Sequence, residues 1–388
     1  MFSTRVPDDR SPTRVARALA AARARRPLLD LTISNPTRAG IPYPADLLAP
    51  LADQASLVYR PEPLGLEDAR AAVGGTYARR GLAIAPERIV LTASTSEAYS
   101  TLFKLLCDPG RSAVMTPVPS YPLFDHLARL DGVAQRRYPL DYHGAWAIDF
   151  PSLDRAWTDD ARAVLAVSPN NPTGSVLHQG DAVELVSRCA SRGAALIVDE
   201  VFRDYPLAGP LDDPDALRSP RCLLARLGGL SKSAGLPQVK LGWIAFDGPG
   251  DLVAQALDRL ELIADTYLSV STPVQVAARS LLAAGDTIRA AILARVRQND
   301  AALRRLAAHS ASVDVLPAEG GWSAVLRVPA TRSEEDLVLE LLERDDLVVH
   351  PGYFFDFAHE AFLVVSLLTE PDTFARGVAR ILERVHAD

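Results

Sequence analysis

Between about residue 88 and residue 246, short β-rich apolar runs alternate with longer stretches patterned as helices, and few architectures accommodate that alternation. The runs are Arg88 to Thr92, Ser112 to Thr116, Ala163 to Val167, Ala194 to Val198, Cys222 to Leu227 and Leu241 to Phe246. Helix-like stretches such as Glu97 to Leu106, Gly180 to Arg192 and Asp251 to Tyr267 lie between or after them. Strand, helix, strand in repetition predicts an α/β fold with a mostly parallel sheet covered on both faces. A ligand then belongs at the carboxyl ends of the strands. After the turn Ser271, Thr272, Pro273 the pattern changes to long helices and separated strands (Trp322 to Val328, Leu347 to His350, Phe362 to Leu367), closed by an amphipathic helix over Asp372 to Ala387. This predicts a smaller α+β domain. The expected division is residues 1–44 as an N-terminal arm and part of the small domain, 45–285 as the large domain and 286–388 as the small C-terminal domain.

Composition narrows the function classes. Of 388 residues 48% are apolar, enough for a sizeable core, and the net charge of -7 is spread without blocks. No clustered basic stripe supports nucleic-acid binding. Cys107, Cys189 and Cys222 are far apart with no histidine at metal-ligand spacing, which predicts buried thiols in a reducing cytoplasm and no metal site. The Arg- and Ala-rich first residues lack the apolar stretch of a secretory signal and read as a solvated amphipathic arm. No apolar run approaches the ~18 residues of a membrane span. Among 41 basic residues only Lys104, Lys232 and Lys240 are lysines, so each invites the question of what arginine could not do there.

Four strand ends carry polar, turn-forming groups. Thr92-Ala93-Ser94-Thr95-Ser96-Glu97 places small hydroxyls at a helix start, which suits a phosphate through free N–H groups, although an N-cap is the commoner role of such a segment; the two can coexist. Tyr121, between Pro119 and Pro122, is placed to stack on a flat heterocycle, although core packing is the commoner fate of a tyrosine. Ser168-Pro169-Asn170-Asn171-Pro172-Thr173-Gly174 forces a sharp exit from a strand and offers a side-chain amide donor. Asp199-Glu200 ends a buried strand, where a carboxylate is costly unless paired. A nucleotide hydrolase would need a GxxxxGK[ST] loop, and Gly228 to Ser233 has Ser231 where the glycine before the lysine must stand. Lys232, in the loop Gly228 to Gly235, then reads as a nucleophilic amine facing Asp199.

Ser-Pro-Asn-Asn-Pro-Thr-Gly, then Val-Asp-Glu-Val-Phe, then Leu-Ser-Lys-Ser-Ala-Gly-Leu-Pro-Gln-Val-Lys-Leu-Gly-Trp resembles the class I and II aminotransferases, fold-type I enzymes that use pyridoxal 5'-phosphate. Tyr59 to Arg70 and Pro351-Gly352-Tyr353-Phe354-Phe355 fit the same family, and the similarity spans about residues 30 to 385. The resemblance implies that Lys232 forms the cofactor's Schiff base and shuttles a proton, and that Asp199 keeps the pyridine nitrogen protonated. It implies Asn171 as donor to the phenolic oxygen, Tyr121 stacked on the ring, and Thr95 and Ser96 on the phosphate. Tyr59 would come from the partner in a homodimer with shared active sites, acting on amino acids and 2-oxo acids.

Four positions depart from that pattern. Phe202 stands where the family has a tyrosine on the phenolic oxygen, Gly229 replaces a phosphate-binding serine, and Lys240 replaces a phosphate-binding arginine with a point charge. Val364 occupies the place of the arginine that clamps the substrate carboxylate. Arg38, in the segment with Asn35, is the substitute candidate for that clamp, although a solvated loop position is the commoner fate of such an arginine, with Asn35 and Asn171 also facing substrate. Three readings stay open: a transaminase, a lyase, decarboxylase or oxidase on the same scaffold, or a non-catalytic sensor of the cofactor.

Overall fold

The computed structural model describes residues 1–387. Its largest sheet has eight strands: β1 (Ile89–Thr92), β2 (Ala113–Val118), β3 (Ala134–Tyr142), β4 (Trp146–Ile148), β5 (Ala161–Val167), β6 (Ala195–Asp199), β7 (Leu224–Gly229) and β8 (Gly242–Asp247). Their order is β1-β8-β7-β6-β5-β2-β3-β4. The expected parallel arrangement holds through β7, β6, β5, β2 and β3, while β8 runs antiparallel to both neighbours and β4 antiparallel to β3. Sequence patterning missed β3 and β4. They form the sheet's edge, where most of β3 is only partly buried and its polar residues obscure the strand pattern.

The central strands are apolar on both sides because helices cover both. Leu165, Ile197, Leu227, Ile244 and Phe246 pack with Leu102 and Phe103 of helix Thr95–Leu106 and Leu260 of helix Gly250–Tyr267. On the other face Val164, Leu196, Val198 and Leu224 meet Ala182, Leu185 and Cys189 of helix Gln179–Ser191. Each large apolar side chain so buried contributes ~1.5–3 kcal/mol. All three cysteines are buried and free.

A second, antiparallel sheet has β9 (Asp314–Val315), β10 (Ser323–Arg327), β11 (His350–Pro351) and β12 (Phe362–Ser366) in the order β9-β10-β12-β11. Leu29–Asp30 pairs in parallel with Leu347–Val348, which ties the N-terminal segment to this half. The two halves share the 36-residue helix Thr272–Ala307, whose Leu281, Ile288, Ile292 and Val296 lie in one cluster with Trp243 and with Leu326, Leu363 and Phe374. Residues 285 and 286, where the sequence suggested a division, lie inside this unbroken helix. Among the described residues no helix is long and apolar enough to cross a membrane.

A tight seam joins the second sheet to the loop after β5. Glu319 N and Gly320 N both donate to Gly174 O, at 2.9 and 3.0 Å, Gly321 N donates to Tyr205 O at 2.9 Å, and Leu207 N donates to Glu319 O at 2.8 Å. Gly174 has φ +69°, and a Cβ there would stand 2.5 Å from Ala318 Cβ and 2.7 Å from Gly320 O. Only glycine satisfies both the backbone and the contact.

Candidate active site

The carboxyl ends of β1, β2, β5, β6 and β7 surround one cavity of about 200 Å³, whose lining includes Thr95, Ser96, Tyr121, Asn171, Asp199 and Lys232. Residues from separate strand ends therefore meet at the carboxyl edge of the sheet, where ligands bind in folds of this kind.

At one end, Ser94 caps helix Thr95–Leu106. Its Oγ accepts from Glu97 N at 3.1 Å, and the Glu97 carboxylate reaches past the cap to accept from Ala93 N. The cap leaves Thr95 and Ser96, at the start of this helix, on the cavity lining. Gly229 and Ser231 complete this part of the lining. A Cβ at Gly229 would stand 3.1 Å from Leu241 O, so the chain accommodates glycine where a serine was expected from the resemblance.

Asp199 closes β6. Its Oδ2 accepts from Tyr99 Oη at 2.7 Å and its Oδ1 from Val201 N at 3.0 Å. Burial pushes the Asp199 carboxyl up to about 6, while the Val201 and Tyr99 donors oppose that rise. Burial also holds the Tyr99 hydroxyl well above its ordinary value, so it remains a donor. The adjacent Glu200 is engaged elsewhere: it pairs with Arg80 at 2.9 Å and with the fully buried Arg226. Those arginines oppose the cost of its burial and hold Glu200 down at about 2. The larger cavity beside Glu200, about 380 Å³, contains Arg80 and Arg289, both already matched by carboxylates.

Lys232 does not lie in an open loop. It sits on a single helical turn, Leu230–Ser233, held by Ser233 Oγ donating to Gly229 O at 2.9 Å and Leu230 N donating to Leu241 O at 2.9 Å. Tyr205 Oη donates to the Lys232 carbonyl. The Lys232 amine lies 4.7 Å from the centroid of Trp322 and 5.4 Å from that of Phe202, which themselves meet edge to face. Burial brings it down to about 8, opposed by the charge of Asp199. It is thus an amine that can be neutral near physiological pH.

The two asparagines divide their work. Asn170 is buried, accepts from Ser120 Oγ at 2.8 Å and donates to Pro119 O and Thr173 Oγ1 at 3.0 and 2.9 Å, which fastens the loop after β5 to the loop after β2. Asn171 reaches the cavity, and its Oδ1 accepts from Ser323 Oγ at 3.1 Å.

Other residues singled out in the sequence lie outside this lining. Lys240 is exposed at φ +65° and outside the lining, where a flexible ammonium keeps its hydration. Tyr59 is 74% exposed, beside a separate groove with Arg60 and Glu62. Arg38 is exposed on the short turn Pro36–Arg38, which Asn35 caps; of that segment Ser34 reaches the cavity. Val364 is 2% exposed and packs with Trp146, Leu316, Val325 and Phe355. The lining contains no arginine, and Lys232 is its one cation. Tyr99, Trp322, Ser323 and Ser34 were missed from sequence. Tyr99 carried a signal, since it lies four residues after Thr95 on the same helix face; Trp322 and Ser323 carried none.

Residues 50–381 match the family profile described as aminotransferase class I and II. A glutamate-pyruvate aminotransferase of Haemophilus influenzae is 25% identical, over 88% of this chain and 86% of that one. A capreomycidine synthase of Streptomyces vinaceus is 31% identical, over 85% and 82%. Among solved structures, an alanine aminotransferase from Pyrococcus furiosus superposes with a TM-score of 0.89 at 19% identity, covering 100% of both chains.

Proposed function

The chain belongs to the class I and II aminotransferases, and on the residues of its cavity we propose a pyridoxal 5'-phosphate-dependent transaminase that moves an amino group from an amino acid or related amine to a 2-oxo acid. The observation that carries this reading is the Lys232 amine, without a hydrogen bond or ion pair among the described residues, in one cavity with the hydrogen-bonded carboxylate of Asp199 and the capped helix start at Thr95. The cavity fits the cofactor. An anion cup, a buried carboxylate for a ring nitrogen, aromatic walls at Tyr121 and Phe202, an amide at Asn171 and a neutral-capable amine are the groups a phosphorylated hydroxypyridine aldehyde requires.

Bound there, the cofactor supplies an electron sink for the pair left at the substrate's α-carbon when its proton is removed. Asp199 holds the ring nitrogen's proton by its negative charge, and Tyr99 fixes the carboxylate's orientation. Lys232 would hold the cofactor at its aldehyde carbon, and its amine, when neutral, would take and return a proton at the substrate's α-carbon. Thr95 and Ser96 bind the phosphate by N–H and hydroxyl donors. Tyr121 and Phe202 exclude water from the ring's surroundings. Tyr59, exposed in one chain, is assigned to the neighbouring subunit's cavity in a homodimer, and three buried free thiols suit a cytoplasmic setting.

A lyase or synthase reaction is the second reading, favoured by two observations: the cavity has no arginine to clamp a carboxylate, and a relative at 31% identity is named a synthase. One experiment separates them. The yellow holoenzyme is mixed with a panel of amino acids and amines in the absence of an oxo acid. Stoichiometric conversion of the cofactor to its pyridoxamine form with a ketone product is the expected result; turnover without that conversion establishes the second reading. Borohydride reduction and peptide mapping should label Lys232, and label on Lys104 or Lys240 would sink the site assignment.

A further inference from the structure

Asn171 is the only side-chain amide on the cavity lining, and its function depends on which of its two edges faces inward. An amide turned the wrong way presents an acceptor, not a donor, to an anionic oxygen. Its Oδ1 is occupied by the Ser323 hydroxyl at 3.1 Å, and its Nδ2 has no hydrogen-bond partner among the described residues. We infer that Ser323 is a positioning residue: by donating to Asn171 Oδ1 it keeps the amide's N–H edge directed at the cofactor's phenolic oxygen. This rests on the transaminase-family reading of the cavity given above.

Four further observations support the assignment. Phe202 offers that oxygen no hydroxyl, so Asn171 has no second donor at that position to share the task or mask a misturned amide. Ser323 begins β10 of the second sheet, whereas Asn171 follows β5 of the first, so the bond crosses between the two halves. The seam of Glu319, Gly320 and Gly321 against Gly174 and Tyr205 holds the chain just before Ser323 against the Asn171 loop. The hydroxyl is therefore delivered by tertiary packing to a fixed place, and a separation of the halves would withdraw it. Asn170 cannot substitute, because both its oxygen and its amide nitrogen are already bonded.

The test is a spectrophotometric pH titration of the holoenzyme's visible band, which reports the charge on the phenolic oxygen and its conjugated partner without any turnover. The lining also holds Lys232, Asp199, Tyr99 and Tyr121, and all stay constant across the variants. A donor to the phenolic oxygen stabilises its anion and lowers the midpoint. Ser323→Ala should raise the midpoint by up to about one pH unit, the size of one lost hydrogen bond. Ser323→Thr, which keeps the hydroxyl, should stay at the wild-type value, and Ser323→Ala placed on Asn171→Ala should shift nothing further. An unchanged or lowered midpoint in Ser323→Ala, or the same rise in the Asn171→Ala background, overturns the inference. If Ser323→Ala does not fold, Ser323→Cys, a much weaker donor, is read by the same criteria. A wild-type protein that shows no visible band with the cofactor overturns the site reading as a whole, whereas a titrating wild type with an indifferent Ser323 overturns the inference alone.

Discussion

At the scale of single residues, the cavity's chemistry comes from opposing shifts on two buried groups. Asp199 is raised to about 6 and Lys232 lowered to about 8, in both cases mainly because burial disfavours charge. The Tyr99 donor limits the rise on Asp199. Tyr99→Phe removes that donor, so the Asp199 carboxyl rises further and the acid limb of the kcat/KM profile should move to higher pH; a limb that stays in place or moves down would show that Tyr99 is only packing. Phe202 is the second residue with a defined outcome. Phe202→Tyr supplies the missing hydroxyl to the phenolic oxygen, so the midpoint of the visible band should fall, and a rise or no change refutes it. Asp199 and Glu200 show why residue identity alone misleads. Adjacent in sequence and equally buried, they end in opposite protonation tendencies, because burial outweighs the two donors at Asp199 whereas two arginines outweigh it at Glu200.

At the scale of elements, most of what the site needs was legible. The runs around Leu91, Val164, Ile197 and Leu227 became strands because unbroken β-rich apolar segments of that length must be covered on both faces. The N-cap at Ser94 followed from its place before the helix pattern. Lys232 was expected in a loop and lies on a helical turn, because side-chain and cross-strand hydrogen bonds from Ser233 and Leu230 wind it, and no local propensity announces such bonds. The edge strand β3 was missed because partial burial leaves its polar residues in place. The seam at Gly174 is also tertiary. Gly174→Ala puts a Cβ within 2.5 Å of Ala318 Cβ at a left-handed φ, which should cost about 2–4 kcal/mol in denaturant unfolding. A loss below roughly 0.5 kcal/mol would mean that the seam yields easily.

At the scale of the whole molecule, the cavity imposes a pH-dependent cost on the apoprotein. Lys232 has a folded value near 8 against an ordinary 10.5, so the folded chain binds fewer protons than the unfolded one between those values. Its contribution to stability therefore rises with pH across that window, and the cost is fully present below about pH 8. Lys232→Met should stabilise the apoprotein at pH 7, on the order of 2 kcal/mol, and the wild-type-minus-variant difference should shrink from pH 8 to 10.5. A difference that is flat or widens with pH would show that the amine is not buried in the apoprotein. The sequence by itself determined the alternation of strands and helices, the sites of the turns, and the chemically capable residues at the strand ends, because periodicity, turn chemistry and capping are local. Only the tertiary structure decided which of them act together. It turned Asp199 to Tyr99 and Glu200 to Arg80 and Arg226, left Arg38 and Lys240 exposed and outside the cavity, and buried Val364 among Trp146 and Phe355. It also brought Ser323 to Asn171 across 152 residues, since a hydrogen bond needs a distance of about 3 Å and sequence separation says nothing about distance once a chain has packed.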